Sequence, residues 1–240
     1  MASIFYFILT LSAFVSSGYC LPTDAHKIRV TSTPTFPMNE VVNTGVAPLP
    51  TPTASPKYIG LGLGMQNFTC NATTNTFVSV GAVATLFDLY DGSTAPPSKV
   101  TIDKVSETYD RVFEICLITG RSVEACASVT NLALNKLPVL GKHYFASIGG
   151  KNVPTFDLSK FNDFLSSKKV GDVLAPADAY DGSNGRGAAD WLYLASDGSS
   201  RTHGVSYVYR VETAGGMPPA SCSAGATTQV PYAAEYWFYT

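Results

Sequence analysis

His143 is the histidine whose surroundings constrain it most. It lies in the run GKHYFASIGGKNVPTFDL at 141–158, where a glycine pair separates two alternating segments, a pattern typical of a β-hairpin. Depending on the loop length, Phe156, Asp157 or Leu158 comes opposite His143, and the sequence leaves the three registers open. A carboxylate from Asp157 would fix the tautomer of the imidazole and could support acid–base catalysis. A partly buried structural histidine is the competing interpretation and the more common case.

A second set of charged residues lies on aromatic strands near the C-terminus. Arg210 and Glu235 could form a bidentate ion pair. A pair of carboxylates such as Glu212 and Glu235 could instead cleave a glycosidic bond, but the sequence does not fix their separation. We therefore treat His143, Asp157, Arg210 and Glu235 as candidate catalytic residues, with structural ion pairs as the alternative.

No cofactor and no metal site is predicted. The loop 178–190 contains oxygen ligands that suit calcium, but their spacing does not follow the EF-hand pattern, so a surface loop is expected. The glycines at 60, 62 and 64 do not lead into a helix, as a dinucleotide-binding loop would. A copper site of the oxidative polysaccharide enzymes needs an N-terminal histidine, whereas the expected mature chain begins at Leu21. The sequence also lacks nucleophile-elbow, zinc-protease and paired-cysteine motifs.

The elements that position these residues are predicted to be mainly β-strands. Aromatic residues make up 12% of the chain, with thirteen tyrosines among them, a composition that favours strands. The formal net charge is only -2, and 14% of the residues are charged. No basic field is therefore available to hold nucleic acid.

Residues 1–20 are predicted to be a secretory signal peptide. The run MASIFYFILTLSAFVSSGYC has an apolar core of about a dozen residues followed by small residues, which suits a cleaved signal better than a membrane span. After removal of this segment no second long apolar run remains. We therefore expect a soluble, exported protein, extracellular or in the cell wall, with no membrane span.

Export gives the cysteines a structural meaning. Four cysteines remain in the mature chain, and in an oxidising compartment they predict two disulfides with three possible connectivities. We favour Cys70–Cys222 and Cys116–Cys126. On one straight helix Cys116 and Cys126 would lie about 15 Å apart, so the second pairing requires the chain to reverse at Gly120. A straight helix with two free thiols is the competing interpretation.

Two acceptor triplets for N-glycosylation flank the first of these cysteines. Asn67-Phe-Thr and Asn71-Ala-Thr lie four residues apart on either side of Cys70. Glycosylation at Asn67 or Asn71 requires this segment to be at least partly exposed. Attachment of sugars at both positions at once would be crowded.

The mature chain is predicted to have a linker followed by one domain. Residues 21–56 carry seven prolines among small polar residues and are expected to be a disordered linker. Residues 57–240 are expected to form a single β-rich domain. Within it, residues 103–137 have helical periodicity with a break at Gly120, which predicts an inserted helical hairpin. The remaining strands favour an antiparallel β-sandwich or a partly closed barrel.

The C-terminal stretch 205–239 is predicted to supply the two strands that close the domain. Alternation places the tyrosines of the first strand on one face and Arg210 on the other. In the second strand it places Tyr236 and Glu235 on opposite faces. Glycine and proline pairs form the connection, which Cys222 would fasten to the first strand of the domain.

Seven ordered motifs together resemble the secreted domain-of-unknown-function family 3455. They are GLGMQNFTC at 62–70, LFD at 86–88, GKHYF at 141–145, PTFDL at 154–158, DWLYL at 190–194, YRVETAGGMPP at 209–219 and VPYAAEYWFY at 230–239. The resemblance covers roughly residues 48–240 and implies a secreted protein of fungal type without an accepted activity. Some members are labelled malate dehydrogenase. This chain has no nucleotide-binding βαβ unit, so an NAD-dependent dehydrogenase is disfavoured.

We therefore expect a secreted, glycosylated, disulfide-stabilised binding or surface-associated module. Cell-wall carbohydrate or a host component is the expected partner, and the oligomeric state is left open. The alternative is an extracellular enzyme that uses His143 with nearby carboxylates. A concave pocket holding His143 and two or more carboxylates would favour the enzyme, and a flat exposed aromatic strip would favour the binding module.

Overall fold

A closed barrel of eight antiparallel strands forms the body of the protein. The computed structural model describes residues 35–37, 48–90 and 99–240, without the side chains of 99–104. The strands are β1 Tyr58–Asn71, β2 Thr76–Tyr90, β3 Val139–Ile148, β4 Lys151–Leu158, β5 Asp163–Val173, β6 Trp191–Ser196, β7 Tyr207–Gly215 and β8 Thr227–Tyr239. Each strand pairs with the next, and β8 pairs with β1 from Tyr58 opposite Phe238 to Thr69 opposite Thr227. Of the two architectures that the sequence left open, the structure has the barrel, and the barrel is fully closed.

Alternation along β1 separates the barrel interior from its outer wall. Leu61 and Leu63 face outward, while the intervening glycines face the interior. A Cβ atom on Gly62 would lie 2.5 Å from the ring of Tyr236, which projects inward from β8. The regular glycine spacing of β1 thus makes room for aromatic side chains inside a small barrel.

Gly64→Ala is expected to lower the free energy of unfolding by about 1–3 kcal/mol. The new Cβ would collide with the carbonyl oxygen of Val83 and lie 2.7 Å from the Cα of Ala84, so the backbone of β2 would have to move. Urea denaturation measures the loss. Gly171→Ala is the matched control, because its Cβ would meet only Leu49, at an ordinary 3.6 Å. Equal losses in the two variants would contradict this explanation.

A helical hairpin packs on the outer wall formed by β1, β2, β7 and β8. Helix α1 spans Lys99–Leu117 and α2 spans Val123–Leu134, with Ser122 capping α2 through the backbone N–H of Ala125. The chain reverses through Gly120, whose φ of 76° confirms the predicted turn. The first helix begins four residues earlier than the predicted start at 103. Neither described helix is long and apolar enough to cross a membrane.

Two disulfides fasten the fold, and they have the pairings favoured from the sequence. Cys116 and Cys126 join the two helices with Cα atoms 5.4 Å apart. Cys70 at the end of β1 joins Cys222 in the β7–β8 connection, with Cα atoms 5.8 Å apart. The Cys70–Cys222 bond holds the β7–β8 connection to β1 at one end of the barrel.

Some residues of the predicted linker are packed on the barrel. Leu49 is 2% exposed, and Tyr209 donates its hydroxyl hydrogen to the carbonyl oxygen of Pro50 at 2.7 Å. The ring of Phe36 lies 4.6 Å from that of Tyr209. The sequence predicted a disordered linker through residue 56, but residues 48–50 are instead ordered against the barrel. The remaining linker residues before 48, apart from 35–37, and the predicted signal peptide lie outside the described residues.

Candidate functional site

One end of the barrel interior is packed with side chains, and the other end contains a cavity. Leu140, Leu158 and Phe238 belong to the core that fills the end where β1 begins. The cavity, of about 350 Å³, extends to the end where β1 and β7 finish, near Phe68 and Met217. Most of its wall is apolar. Its polar side chains are Gln66, Ser79, His143, Lys169, Asp190, Arg210 and Tyr236.

His143 projects into this cavity from β3. The hairpin places it opposite Phe156, which settles the register that the sequence left open, and the two rings stack with centroids 4.3 Å apart. Its Nδ1 lies 3.0 Å from the carbonyl oxygen of Thr155. Because a carbonyl only accepts, Nδ1 carries the hydrogen. Burial lowers the pKa of His143 to about 4, with a smaller contribution from the charge of Arg210, so the ring is neutral at pH 7.

Arg210 brings a positive charge into the same cavity from β7. The residue is 8% exposed, and its Nε and Nη2 donate to the carbonyl oxygen of Asp190 at 3.2 and 2.7 Å. Within the described part of the chain, Arg210 forms no ion pair with a carboxylate side chain. The carbonyl of Asp190 thus orients the guanidinium of Arg210 without neutralising its positive charge.

Two buried tyrosines complete the polar side of the barrel interior. The hydroxyl groups of Tyr232 and Tyr236 lie 2.8 Å apart and share a hydrogen bond. Burial raises the pKa of both phenols, so both are neutral at pH 7. The charge of Arg210 acts in the opposite direction on the pKa of Tyr236, which lines the same cavity. The phenols therefore contribute hydroxyl groups rather than negative charge.

The structure does not bring the other two candidate catalytic residues to His143 and Arg210. Asp157 pairs with Lys142, one position along from His143, and accepts a hydrogen bond from the backbone N–H of Ser159 at 3.0 Å. Its side chain therefore faces the opposite side of the sheet. Glu235 lies on the outer wall, where its Oε2 accepts from the indole of Trp237 at 2.8 Å. Arg210 and Glu235 consequently face opposite sides of the barrel wall.

The same chain segment that forms this cavity matches a family of proteins. A family model described as Protein of unknown function (DUF3455) matches residues 50–240, which include every strand of the barrel and both helices. The chain belongs to this family. No curated protein and no solved structure matches it. The chemistry of the DUF3455 barrel must therefore be argued from its own side chains.

The two predicted glycosylation sites of this DUF3455 protein lie at the cavity end of the barrel. Asn71, at the end of β1, is exposed. Asn67 is half-buried, and its side-chain oxygen accepts a hydrogen bond from Gln229 at 2.9 Å. Attachment of sugars stays a prediction at both positions, with Asn71 the more accessible of the two.

A smaller cavity, of about 220 Å³, lies outside the barrel between α1 and β7. Glu107, Glu212 and Trp191 contribute to its wall. Nearby on α1, burial raises the pKa of Asp110 well above its usual value, and the charge of Glu114 raises it further. The described residues contain no group of three or more histidine, cysteine or acidic side chains arranged to hold a metal ion.

Sequence reasoning missed several side chains of the larger cavity in this DUF3455 barrel. Gln66, Lys169 and Asp190 were not identified as candidates, and Tyr236 was placed on a face without a role. Gln66 comes two residues after the last of the alternating glycines of β1, which face the barrel interior. This alternation could have predicted that Gln66 also faces inward. Lys169 lies beside a register shift in β5, and Asp190 lies at the end of a loop, so alternation along the chain gives no guidance at either position.

Proposed function

We propose that this protein is a secreted binding module that holds a small, mostly apolar molecule inside its barrel. The observation that carries the proposal is the unfilled end of the barrel, which combines an apolar wall with a few converging polar groups. An eight-stranded barrel is about wide enough either to be filled by side chains or to hold one small ligand. The two disulfides support export to an oxidising compartment.

The apolar wall also bears on the identity of the partner. A small amphipathic molecule fits this cavity better than a length of cell-wall polysaccharide. Carbohydrate or a host component would instead use the outer aromatic surface. There Tyr193 and Tyr207 are half-buried, and Tyr207 stacks on the buried Tyr239 with ring centroids 4.9 Å apart. Such a partner stays a second prediction for that surface.

The binding module is favoured over the enzyme because the cavity lacks the groups that hydrolysis needs. It holds His143, but Asp190 is the only carboxylate on its wall. Asp157 and Glu235, the carboxylates proposed from the sequence, lie on the other side of the sheet. A separate cavity of about 400 Å³ has His143, Asp157 and Glu124 on its wall. The imidazole of His143 nevertheless stacks on Phe156 in the barrel interior, so catalysis by His143 stays a prediction.

Ala82→Trp tests the proposal by filling the cavity with an indole. Ala82 is buried on the cavity wall, so the variant should bind the neutral dye Nile red on the order of tenfold more weakly than the wild type. Fluorescence titration of the purified mature protein gives the dissociation constants, and circular dichroism checks the fold. Val170→Trp places the same ring at an exposed position outside the cavity and should bind as the wild type does.

The proposal fails in either of two cases. A folded Ala82→Trp variant that binds the dye as tightly as the wild type would place the dye elsewhere on the molecule. A wild-type protein that shows no saturable binding of the neutral dye would remove the support for an internal ligand.

A further inference from the structure

We infer that the ligand of the barrel cavity is an amphipathic monoanion, whose carboxylate binds Arg210 and whose apolar part packs against Ala82, Phe156 and Leu194. This inference rests on the proposed function and adds the chemical class of the ligand. It is carried by the charge and the hydrogen bonding of the cavity wall.

The buried guanidinium is built to receive an anion. Arg210 is more than nine-tenths buried and carries five N–H donors in one plane. The carbonyl oxygen of Asp190 accepts from the Nε and Nη2 of Arg210 and so fixes the plane of the group. A carbonyl has no net charge, so this anchor positions the cation without neutralising it. The Asp190 carboxyl attracts Arg210 but forms no ion pair with it. Burial of an unpaired cation is unfavourable, and a bound carboxylate would remove that cost.

The remaining charges of the cavity leave room for one negative charge. Its wall has two basic side chains, Arg210 and Lys169, and one acidic side chain, Asp190, so that these three together carry a net charge of +1. The half-buried Asp190 carboxyl interacts electrostatically with Arg210. His143 and Tyr236 are neutral at pH 7, because burial disfavours the charged form of each. Lys169 is also paired with Asp172 at 3.1 Å, at the exposed end of β5. The buried positive charge is therefore that of Arg210.

The apolar wall determines the rest of the ligand. Ala82, Phe156 and Leu194 are buried and line the same cavity as Arg210. A free inorganic anion would leave this apolar surface uncovered. A neutral apolar molecule would leave the guanidinium unpaired. A carboxylate attached to an apolar chain satisfies both parts of the wall.

Octanoate and its uncharged counterpart octanol separate the two contributions. In competition with Nile red at pH 7, octanoate is expected to displace the dye from the wild type at concentrations roughly 10- to 100-fold lower than octanol. Arg210→Met removes the charge and retains an apolar side chain, so it should abolish this preference. Lys168→Met removes a positive charge from an exposed position outside the cavity and should retain it.

Each outcome decides one part of the inference. If octanoate and octanol displace Nile red from the wild type equally well, the inference that the ligand is an anion is overturned, while the proposed binding inside the barrel stands. Displacement by inorganic phosphate alone overturns the amphipathic ligand. Absence of any dye binding removes the proposed function and the inference together. If Arg210→Met does not fold, Arg210→Gln serves instead, because it removes the charge and retains a hydrogen-bond donor for the carbonyl of Asp190. A preference for octanoate that is unchanged in that variant overturns the assignment of the anion to Arg210.

Discussion

Replacing Cys70 and Cys222 by serine is expected to lower the free energy of unfolding by about 5 kcal/mol. The bond joins residues separated by 152 positions, and the entropy that a cross-link removes from the unfolded chain grows with the logarithm of the loop length. The bond also holds the β7–β8 connection to the end of β1, where the cavity lies. Denaturant unfolding of the oxidised wild type and of the double variant, without reductant, measures the difference.

The second disulfide provides the matched comparison. Cys116 and Cys126 are only 10 positions apart, so serine at both positions should cost about 3 kcal/mol. Both variants leave two serines in place of one bond and differ mainly in loop length. A loss from the helical bond equal to or larger than that from Cys70–Cys222 would show that chain entropy does not dominate.

Lowering the pH from 7 to 4 is expected to cost on the order of 3 kcal/mol of stability through His143 alone. The folded pKa of His143 is about 4, chiefly because of burial, below the ordinary value of 6.5. Between these values the unfolded chain binds a proton that the folded protein does not. The contribution of His143 to the free energy of unfolding is therefore fully present above about pH 6.5 and is lost as the pH falls towards 4.

The measurement is the difference in unfolding free energy between the wild type and His143→Phe across this pH range. Taking this difference cancels the contributions of carboxyl groups such as Asp110 to the pH dependence. The raised pKa of Asp110 stabilises the folded protein as the pH falls, which is opposite to the effect of His143. Phenylalanine retains an aromatic ring against Phe156 and does not titrate. His203→Phe, at an exposed position, is the control and should retain the pH dependence of the wild type. A difference between the wild type and His143→Phe that does not change with pH would contradict the neutral, buried imidazole.

Local patterns in the sequence were sufficient for the elements and for the cross-link between the two helices. The period of two in 205–239 correctly separated Arg210 from its neighbouring tyrosines and Tyr236 from Glu235. The helical period with a break at Gly120 predicted the hairpin, and that reversal made the Cys116–Cys126 bond possible. These features depend on residues close together in the chain, so the sequence contains the information for them.

Only the tertiary structure decided which charged groups share a cavity. Alternation shows that Arg210 and its neighbours face opposite ways, but it does not show which face is the interior. In β8 both faces from Tyr232 to Tyr239 are buried, one inside the barrel and the other beneath the helices and the N-terminal segment. A strand buried on both sides has no polar face to mark the outside. Closure of β8 onto β1 therefore placed Arg210 beside His143 and Glu235 on the outer wall.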